Sequence, residues 1–249
     1  MLTQSAFPHS RAERILDTSR PLLGLAPAGL YTAQMSRTLS EADSKAFLSE
    51  FHIPFAAEVL VSTADEAVAA AHAVGLPVAV KLCGEQISHK TERGLVRLGL
   101  SDSNSVHEAT TALFAAARPE DCATGVLVAP MISGARELIA GISVDEQFGP
   151  TVLIGIGGIL AEAIADVAVR LLPITEVDAM DMLDQLQTQS LLDEFRGEPA
   201  VDRIAVGKVL LALSQIAAEH PEVLSIDLNP LIISDGQPIA VDALVEVQS

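Results

Sequence analysis

Lysine is scarce in this sequence, whereas acidic residues are abundant. Lysine and arginine together number 15 against 33 aspartates and glutamates, so the formal net charge of the 249-residue chain is −18 at pH 7. A charge this negative excludes passive binding to nucleic acid or to anionic membranes as the default function. It also opposes the binding of an anionic ligand, so the few lysines need explaining; they are Lys45, Lys81, Lys90 and Lys208.

Cysteine and uninterrupted apolar runs are scarce as well. Cys83 and Cys122 form no CxxC pair and no metal-binding spacing, which is typical of reduced thiols in a cytosolic protein. The longest apolar stretch, roughly residues 150–173, contains Asp166 and Arg170 and is therefore not expected to cross a membrane. The N-terminus shows no apolar signal region. We therefore expect a cytoplasmic globular protein, since 49% of its residues are apolar.

Helix and strand patterns alternate from Ser40 onward, and several strand pairs are joined by tight turns. Ser40 and Thr63 are typical helix N-caps, and Gly75 is a typical C-cap. Such a mixture predicts α+β lobes rather than one parallel sheet. Residues 1–37 show weak periodicity and are interpreted as an N-terminal extension.

The C-terminal hairpin is the most informative segment. Asp235-Gly236 between two apolar runs predicts a two-residue turn. If Ser234 pairs with Gln237, Asn229 lies directly opposite Asp242, and Asp227 shares their face. An amide oxygen and carboxylates brought together in this way suit Mg²⁺, which prefers hard oxygen ligands. The alternative is that these are polar residues on a solvent-facing hairpin.

Two further segments suggest contacts with an anion. Lys81 ends an apolar strand, where its charge is costly unless it meets an anion or reaches solvent. The polar loop 88–94 contains His89, which could accept a phosphoryl group or transfer a proton, although an exposed loop histidine often has no such role.

The glycine-rich segment Gly155–Gly158 follows a strand but does not fit a dinucleotide-binding motif. Leu160 stands where the third glycine of that motif is required. A glycine turn whose backbone N–H groups approach an anion is left open.

Taken in order, five groups of segments resemble a known family. They are Pro77–Lys81, Ile87–Glu92, Arg136–Gly141 with Gln147–Pro150, Gly157–Gly158 through Arg170–Pro173, and Ile226–Pro230 with Val241–Asp242. Phe195-Arg-Gly197 also fits. The set resembles the ATP-grasp component of ADP-forming acyl-CoA synthetases, the β subunit of acetate–CoA ligase, and more distantly the succinyl-CoA synthetase β chain.

The resemblance implies a two-lobed ATP-grasp fold with the nucleotide between the lobes. Residues 55–128 would form the smaller lobe, and residues 38–54 with 129–249 the larger one. The implied nucleotide contacts are Lys81, Gly94, Leu127, Val128, Met131 and Glu137, with the strand 127–131 holding adenine. Asn229 and Asp242 match Mg²⁺ ligands, in agreement with the hairpin register, and His89 matches a histidine that carries a phosphoryl group.

The implied reaction is acyl-CoA + ADP + Pi ⇌ carboxylate + ATP + CoA, with ATP/ADP and Mg²⁺ as cofactors. The CoA-binding module is absent from these residues, so an α subunit or another polypeptide would supply it. Two alternatives stay open: a nucleotide-binding regulatory or scaffold subunit with impaired phosphotransfer, and an ATP-grasp ligase for another carboxylate. The first is suggested by Glu92 and Leu95, where the family usually has aspartate and a second glycine.

Overall fold

The computed structural model describes residues 36–85, 87, 90–145, 147–158, 164–194 and 196–248. Its helices are α1 (Glu41–Ser49), α2 (Ala64–Val74), α3 (Ser103–Ala116), α4 (Glu176–Gln185) and α5 (Arg203–Glu219). Its strands are β1 (Ser36–Thr38), β2 (Val59–Val61), β3 (Val78–Gly84), β4 (Val96–Leu100), β5 (Ala123–Pro130), β6 (Arg136–Asp145), β7 (Gly149–Ile156), β8 (Val167–Leu171), β9 (Val223–Ser234), β10 (Gln237–Ala240) and β11 (Leu244–Gln248).

The small lobe consists of β2 to β5 with α2 and α3. Its strands pair antiparallel in the order β2-β5-β3-β4. Alternate residues of β3 and β5, among them Val80 and Val128, face the core shared with α2 and α3. Thr63 accepts a hydrogen bond from the backbone of Glu66 and begins α2, as the sequence predicted. The opposite face of this sheet therefore remains for Lys81 and Leu127, which are register partners.

The large lobe consists of the remaining elements, and its sheet has the order β1-β11-β9-β6-β7-β8, with β10 paired to β9. One face of this sheet packs with α1, α4 and α5 around a core that includes Leu138, Leu210 and Leu228. Ser36 and Arg37, the last residues of the predicted extension, belong to β1 and pair with β11. Residues 1–35 lie outside the described part of the chain. No helix among the described residues is long and apolar enough to cross a membrane.

The C-terminal hairpin has the register that the sequence predicted. Ser234 pairs with Gln237, and the ladder continues to the pair of Leu231 and Ala240. The backbone N–H of Val241 then donates to the carbonyl of Pro230. After a break at 241–243, β11 resumes in the same register, with Leu244 opposite Asp227. Asn229 and Asp242 therefore face each other at this break.

Arg136, at the start of β6, fixes the loop that precedes α5. Its buried guanidinium donates to the carbonyls of Leu191, Asp193 and Pro199 and to the carboxylate of Glu198. Its neighbour Glu137 projects from the opposite face of the sheet. The first residues of β6 therefore contact the loop before α5 on one face and carry Glu137 on the other.

Replacing Arg136 by methionine should lower the free energy of unfolding by about 3 kcal/mol or more, because several carbonyls and one carboxylate lose their partner. Urea denaturation followed by circular dichroism measures this. Arg170→Met is the matched control, since the Arg170 guanidinium bonds the carbonyl of its neighbour Val169. Equal losses for the two variants would contradict a structural role specific to Arg136.

Candidate active site

A cluster of charged side chains lies where the two lobes meet. Lys81, on β3 of the small lobe, donates from Nζ to Glu41 Oε1 over 2.8 Å and to the carbonyl of Val241 over 2.6 Å. Glu41 belongs to α1 of the large lobe, and Val241 follows β10. The end of the C-terminal hairpin and the first turn of α1 are thus joined to the small-lobe sheet through one ammonium group.

Two more lysines contact the same carboxylate. Lys45 Nζ lies 2.8 Å from Glu41 Oε1, and it also donates to Glu58 Oε2 at 2.6 Å and to the carbonyl of Val241 at 3.0 Å. Lys90 Nζ donates to Glu41 Oε2 and lies 3.8 Å from Asp242 Oδ1. Three of the four lysines in the sequence therefore converge on Glu41, although the chain as a whole is strongly acidic.

Burial and charge act in opposite directions in this cluster. Burial alone would raise the pKa of Glu41, but Lys81, Lys90 and Lys45 together hold it well below its usual value. Burial alone would lower the pKa of Lys81, but Asp242 and Glu41 raise it above the usual lysine value. The same two carboxylates raise the pKa of Lys90 against its own burial. All three groups are therefore charged at neutral pH, and the lysines offer a fixed positive charge.

The open face of the large-lobe sheet carries the acidic side of the site. Leu138 and Leu228 point into the core, so Glu137 and Asp227, which alternate with them, lie on the opposite face. Asn229 follows on β9, and Asp242 stands across from it in the hairpin register. Asp242 lies beside Lys90, 3.8 Å from its Nζ, and the register on either side of the break places Asn229 opposite Asp242.

Asp227 is exposed by its surface area, yet many protein atoms lie around its carboxylate; their partial removal of its hydration, together with the charge of Asp242, raises its pKa to about 6. Two carboxylates that repel each other beside an amide oxygen form a donor set that suits a hard divalent cation. Among the described residues, no three His, Cys, Asp or Glu side chains form a complete metal site. The side chains of Asn229 and Asp242 would therefore hold Mg²⁺ together with water and ligand oxygens, which is how Mg²⁺ commonly binds.

The three residues predicted to hold adenine occupy different surroundings. Leu127 lies on the face of the small-lobe sheet that carries Lys81, and it lines a cavity of about 250 Å³ between α1 and β2. Val128 points the other way, into the core with α2 and α3. Met131 lies beyond the end of β5, where its backbone N–H donates to the carbonyl of Pro77. The structure brings the side chain of Leu127, but not that of Val128, to the face shared with Lys81.

Gly94 and Glu137 have local roles that the sequence did not predict. Gly94 has a φ of +66° and closes a turn in which the N–H of Leu95 donates to the carbonyl of Lys90. The carbonyl of Glu137 accepts from Gly157, and its carboxylate lies beside Gly158. The positive φ of Gly94 therefore determines the conformation of the loop that carries Lys90. His89 lies outside the described residues, so its predicted role has no structural test here.

Glu41 and Lys45 are the site residues that sequence reasoning missed. Glu41 is the first residue of α1, directly after the N-cap Ser40, where an acidic residue is common for reasons of helix stability alone. The spacing of Glu41 and Lys45 also fits an ordinary i,i+4 surface pair. The complete burial of the Glu41 side chain, which distinguishes it from such a pair, arises only from the packing of α1 against the small lobe.

The family assignment comes from sequence comparison. A family profile described as an ATP-grasp domain matches residues 31–247. The chain belongs to the ATP-grasp family. It is 34% identical over 211 residues to the β subunit of acetate–CoA ligase [ADP-forming] I from Pyrococcus furiosus, covering 84% of this chain and 91% of that subunit. A succinate–CoA ligase β subunit is a more distant relative, as the sequence predicted.

Solved structures of ATP-grasp proteins confirm the predicted fold. Dinucleotide-forming acetyl-coenzyme A synthetase 1 of Candidatus Korarchaeum cryptofilum, in complex with coenzyme A and Ca-AMPCP, superposes with a TM-score of 0.80 at 32% identity, covering 85% of this chain and 94% of that chain. A second structure of that protein contains Mg-AMPPCP and a phosphohistidine segment pointing towards the nucleotide-binding site; its TM-score is 0.72 at 32% identity, covering 84% and 92% of the two chains. Several other ATP-grasp relatives are longer single chains, of which this chain covers 29–30%.

Proposed function

We propose that this chain is the nucleotide-binding subunit of an ADP-forming acyl-CoA synthetase and transfers a phosphoryl group between a phosphohistidine and ADP. The observation that carries the proposal is the position of Lys81 and Lys90 at the junction of the two lobes, beside Val241 and Asp242 of the hairpin break that Asn229 faces by register. Such a site combines fixed cations and metal-ligand oxygens around one position, which is what phosphoryl transfer requires of a protein.

In this proposal each residue acts by position and charge. Lys81 and Lys90 bind phosphate oxygens and offset the acidic surroundings, and the cavity beside Leu127 takes the adenine. Glu137, on the same sheet face as Asp227, would lie near the nucleotide. Asn229 and Asp242 would hold Mg²⁺, which supplies charge neutralisation at the phosphates when bound. His89 carries the phosphoryl group, and its nucleophilic nitrogen becomes free again when ADP accepts that group.

A partner subunit follows from the same reasoning. The Pyrococcus relative is named as a β subunit, and the Korarchaeum protein is in complex with coenzyme A. We propose that a CoA-binding α subunit forms the acyl phosphate and delivers the phosphoryl group to this chain. The proposed overall reaction is acyl-CoA + ADP + Pi ⇌ carboxylate + ATP + CoA, and the proposed location is the cytoplasm.

Asp242→Asn should weaken Mg²⁺-dependent ADP binding by about 10-fold or more, because a metal ligand loses its charge. Calorimetric titration with ADP at fixed Mg²⁺ measures the change. Asp235→Asn is the matched control, since Asp235 lies in the turn of the same hairpin and at its far end. Unchanged binding in Asp242→Asn would exclude this hairpin as the metal site.

Reconstitution tests the function as a whole. The chain is mixed with its α partner, and ATP formation is followed from acetyl-CoA, ADP and phosphate. Turnover supports the proposed function. Tight Mg-ADP binding without turnover for acetyl-CoA or other acyl-CoA substrates would instead favour the regulatory or scaffold subunit, for which the altered residues Glu92 and Leu95 are the specific observation.

A further inference from the structure

Glu41 lies at the centre of the lysine cluster and has no role in the proposed function so far. Its side chain is fully buried, and both of its oxygens accept hydrogen bonds from ammonium groups. Lys45 belongs to its own helix, whereas Lys81 and Lys90 come from β3 and the loop after it. Lys208, the remaining lysine, is exposed on α5 and takes no part in the cluster.

The donors of the three lysines are used unequally. An ammonium group has three N–H donors. Lys45 directs its donors to Glu41, Glu58 and the carbonyl of Val241, so it has none left for a ligand. Within the described part of the chain, the bonds of Lys81 use two donors, and the short bond of Lys90 to Glu41 uses one. Lys45 therefore stabilises the cluster without contacting a ligand, whereas Lys81 and Lys90 can still donate to a phosphate.

The geometry of Lys81 gives Glu41 a specific effect. Because an ammonium group is tetrahedral, fixing two of its N–H bonds, towards Glu41 and Val241, also fixes the direction of the third. Without the Glu41 charge, three ammonium groups around one point would repel one another and separate. The carboxylate thus holds two ligand-binding lysines at a defined spacing before any ligand arrives.

We propose that Glu41 is a positioning residue, which orients Lys81 and Lys90 for the phosphates of the nucleotide. This inference rests on the proposed function. The alternative is that the Glu41 carboxylate occupies the position of a phosphate group and competes with the nucleotide for the two lysines. Glu41 takes only one donor from each of Lys81 and Lys90, so a phosphate can bind without displacing it.

The test measures ADP and adenosine binding by calorimetry for the wild-type chain, Glu41→Gln and Glu41→Asp, with Mg²⁺ present. Glu41→Gln should weaken ADP binding about 10- to 100-fold, because both lysines lose their orientation. Adenosine binding should stay within about 3-fold, since adenosine has no phosphates to orient. Glu41→Asp keeps the charge on a shorter side chain and should lose less affinity for ADP than Glu41→Gln.

Glu50→Gln is the matched control. It removes the same charge from the same helix, but Glu50 is exposed at the C-terminal end of α1 and leaves the bonds of Lys81 and Lys90 to Glu41 intact. ADP binding should therefore change less than about 3-fold in this variant.

The outcomes separate this inference from the proposed function. Tighter ADP binding in Glu41→Gln would show competition and overturn positioning, and so would an equal loss of ADP and adenosine binding. If Glu41→Gln does not fold, Glu41→Asp decides alone, and wild-type ADP affinity in that variant overturns the inference. A wild-type chain that binds no Mg-ADP would overturn the proposed function first.

Discussion

Lys81→Met is expected to weaken Mg-ADP binding about 100-fold. The variant keeps a side chain of similar length and removes a charge that lies between the lobes and has one N–H that the described residues do not use. A charge-assisted hydrogen bond to phosphate in a buried site is worth about 1.5–3 kcal/mol, and the loss also leaves Glu41 with one cation fewer. Isothermal titration calorimetry with ADP at saturating Mg²⁺ measures the effect.

Lys208→Met is the control for Lys81→Met. It makes the same change in net charge, but Lys208 is exposed on α5. If the two variants lost the same affinity, the effect would come from the long-range field of this acidic chain rather than from a contact. Wild-type affinity in Lys81→Met would leave Lys81 with a structural role alone.

His89→Ala is expected to abolish ATP formation, with a loss of about 1,000-fold or more, and to leave ADP binding largely intact. A group that carries a covalent intermediate has no substitute among its neighbours, whereas a group that only contacts the ligand contributes a smaller factor. The reconstituted assay with the α partner measures the rate.

His107→Ala, on the exposed surface of α3, should retain full activity in the same assay. Phosphorylation of the chain is followed in parallel with radiolabelled phosphate. Substantial turnover of His89→Ala would exclude this histidine as the phosphoryl carrier, whatever its effect on labelling.

The hairpin shows what could be predicted from the sequence. A two-residue Asp-Gly turn fixes register, and register fixes which residues face each other, so the pairing of Asn229 with Asp242 followed from local chemistry. The helix starts at Ser40 and Thr63 were predictable for the same reason, because a capping hydroxyl bonds a backbone N–H three residues away.

Two features of the site could not be predicted in this way. The run from Val126 to Val128 is uniformly apolar because β5 is covered on both faces, so the sequence does not show that Leu127 alone faces Lys81. Glu41 was missed because its local pattern is that of a helix N-terminus, and its partners Lys81 and Lys90 are separated from it by 40 and 49 residues. Both features depend on tertiary packing.

The most direct test of the account is a calorimetric titration of the wild-type chain with ADP, in Mg²⁺ and again in EDTA. Because the chain has a net charge of −18, a nucleotide should bind only where Lys81, Lys90 and a metal held by Asn229 and Asp242 neutralise its phosphates. One site per chain is expected, with a loss of affinity of about 10-fold or more without Mg²⁺. Equal affinity in EDTA, or no binding in Mg²⁺, would contradict this expectation.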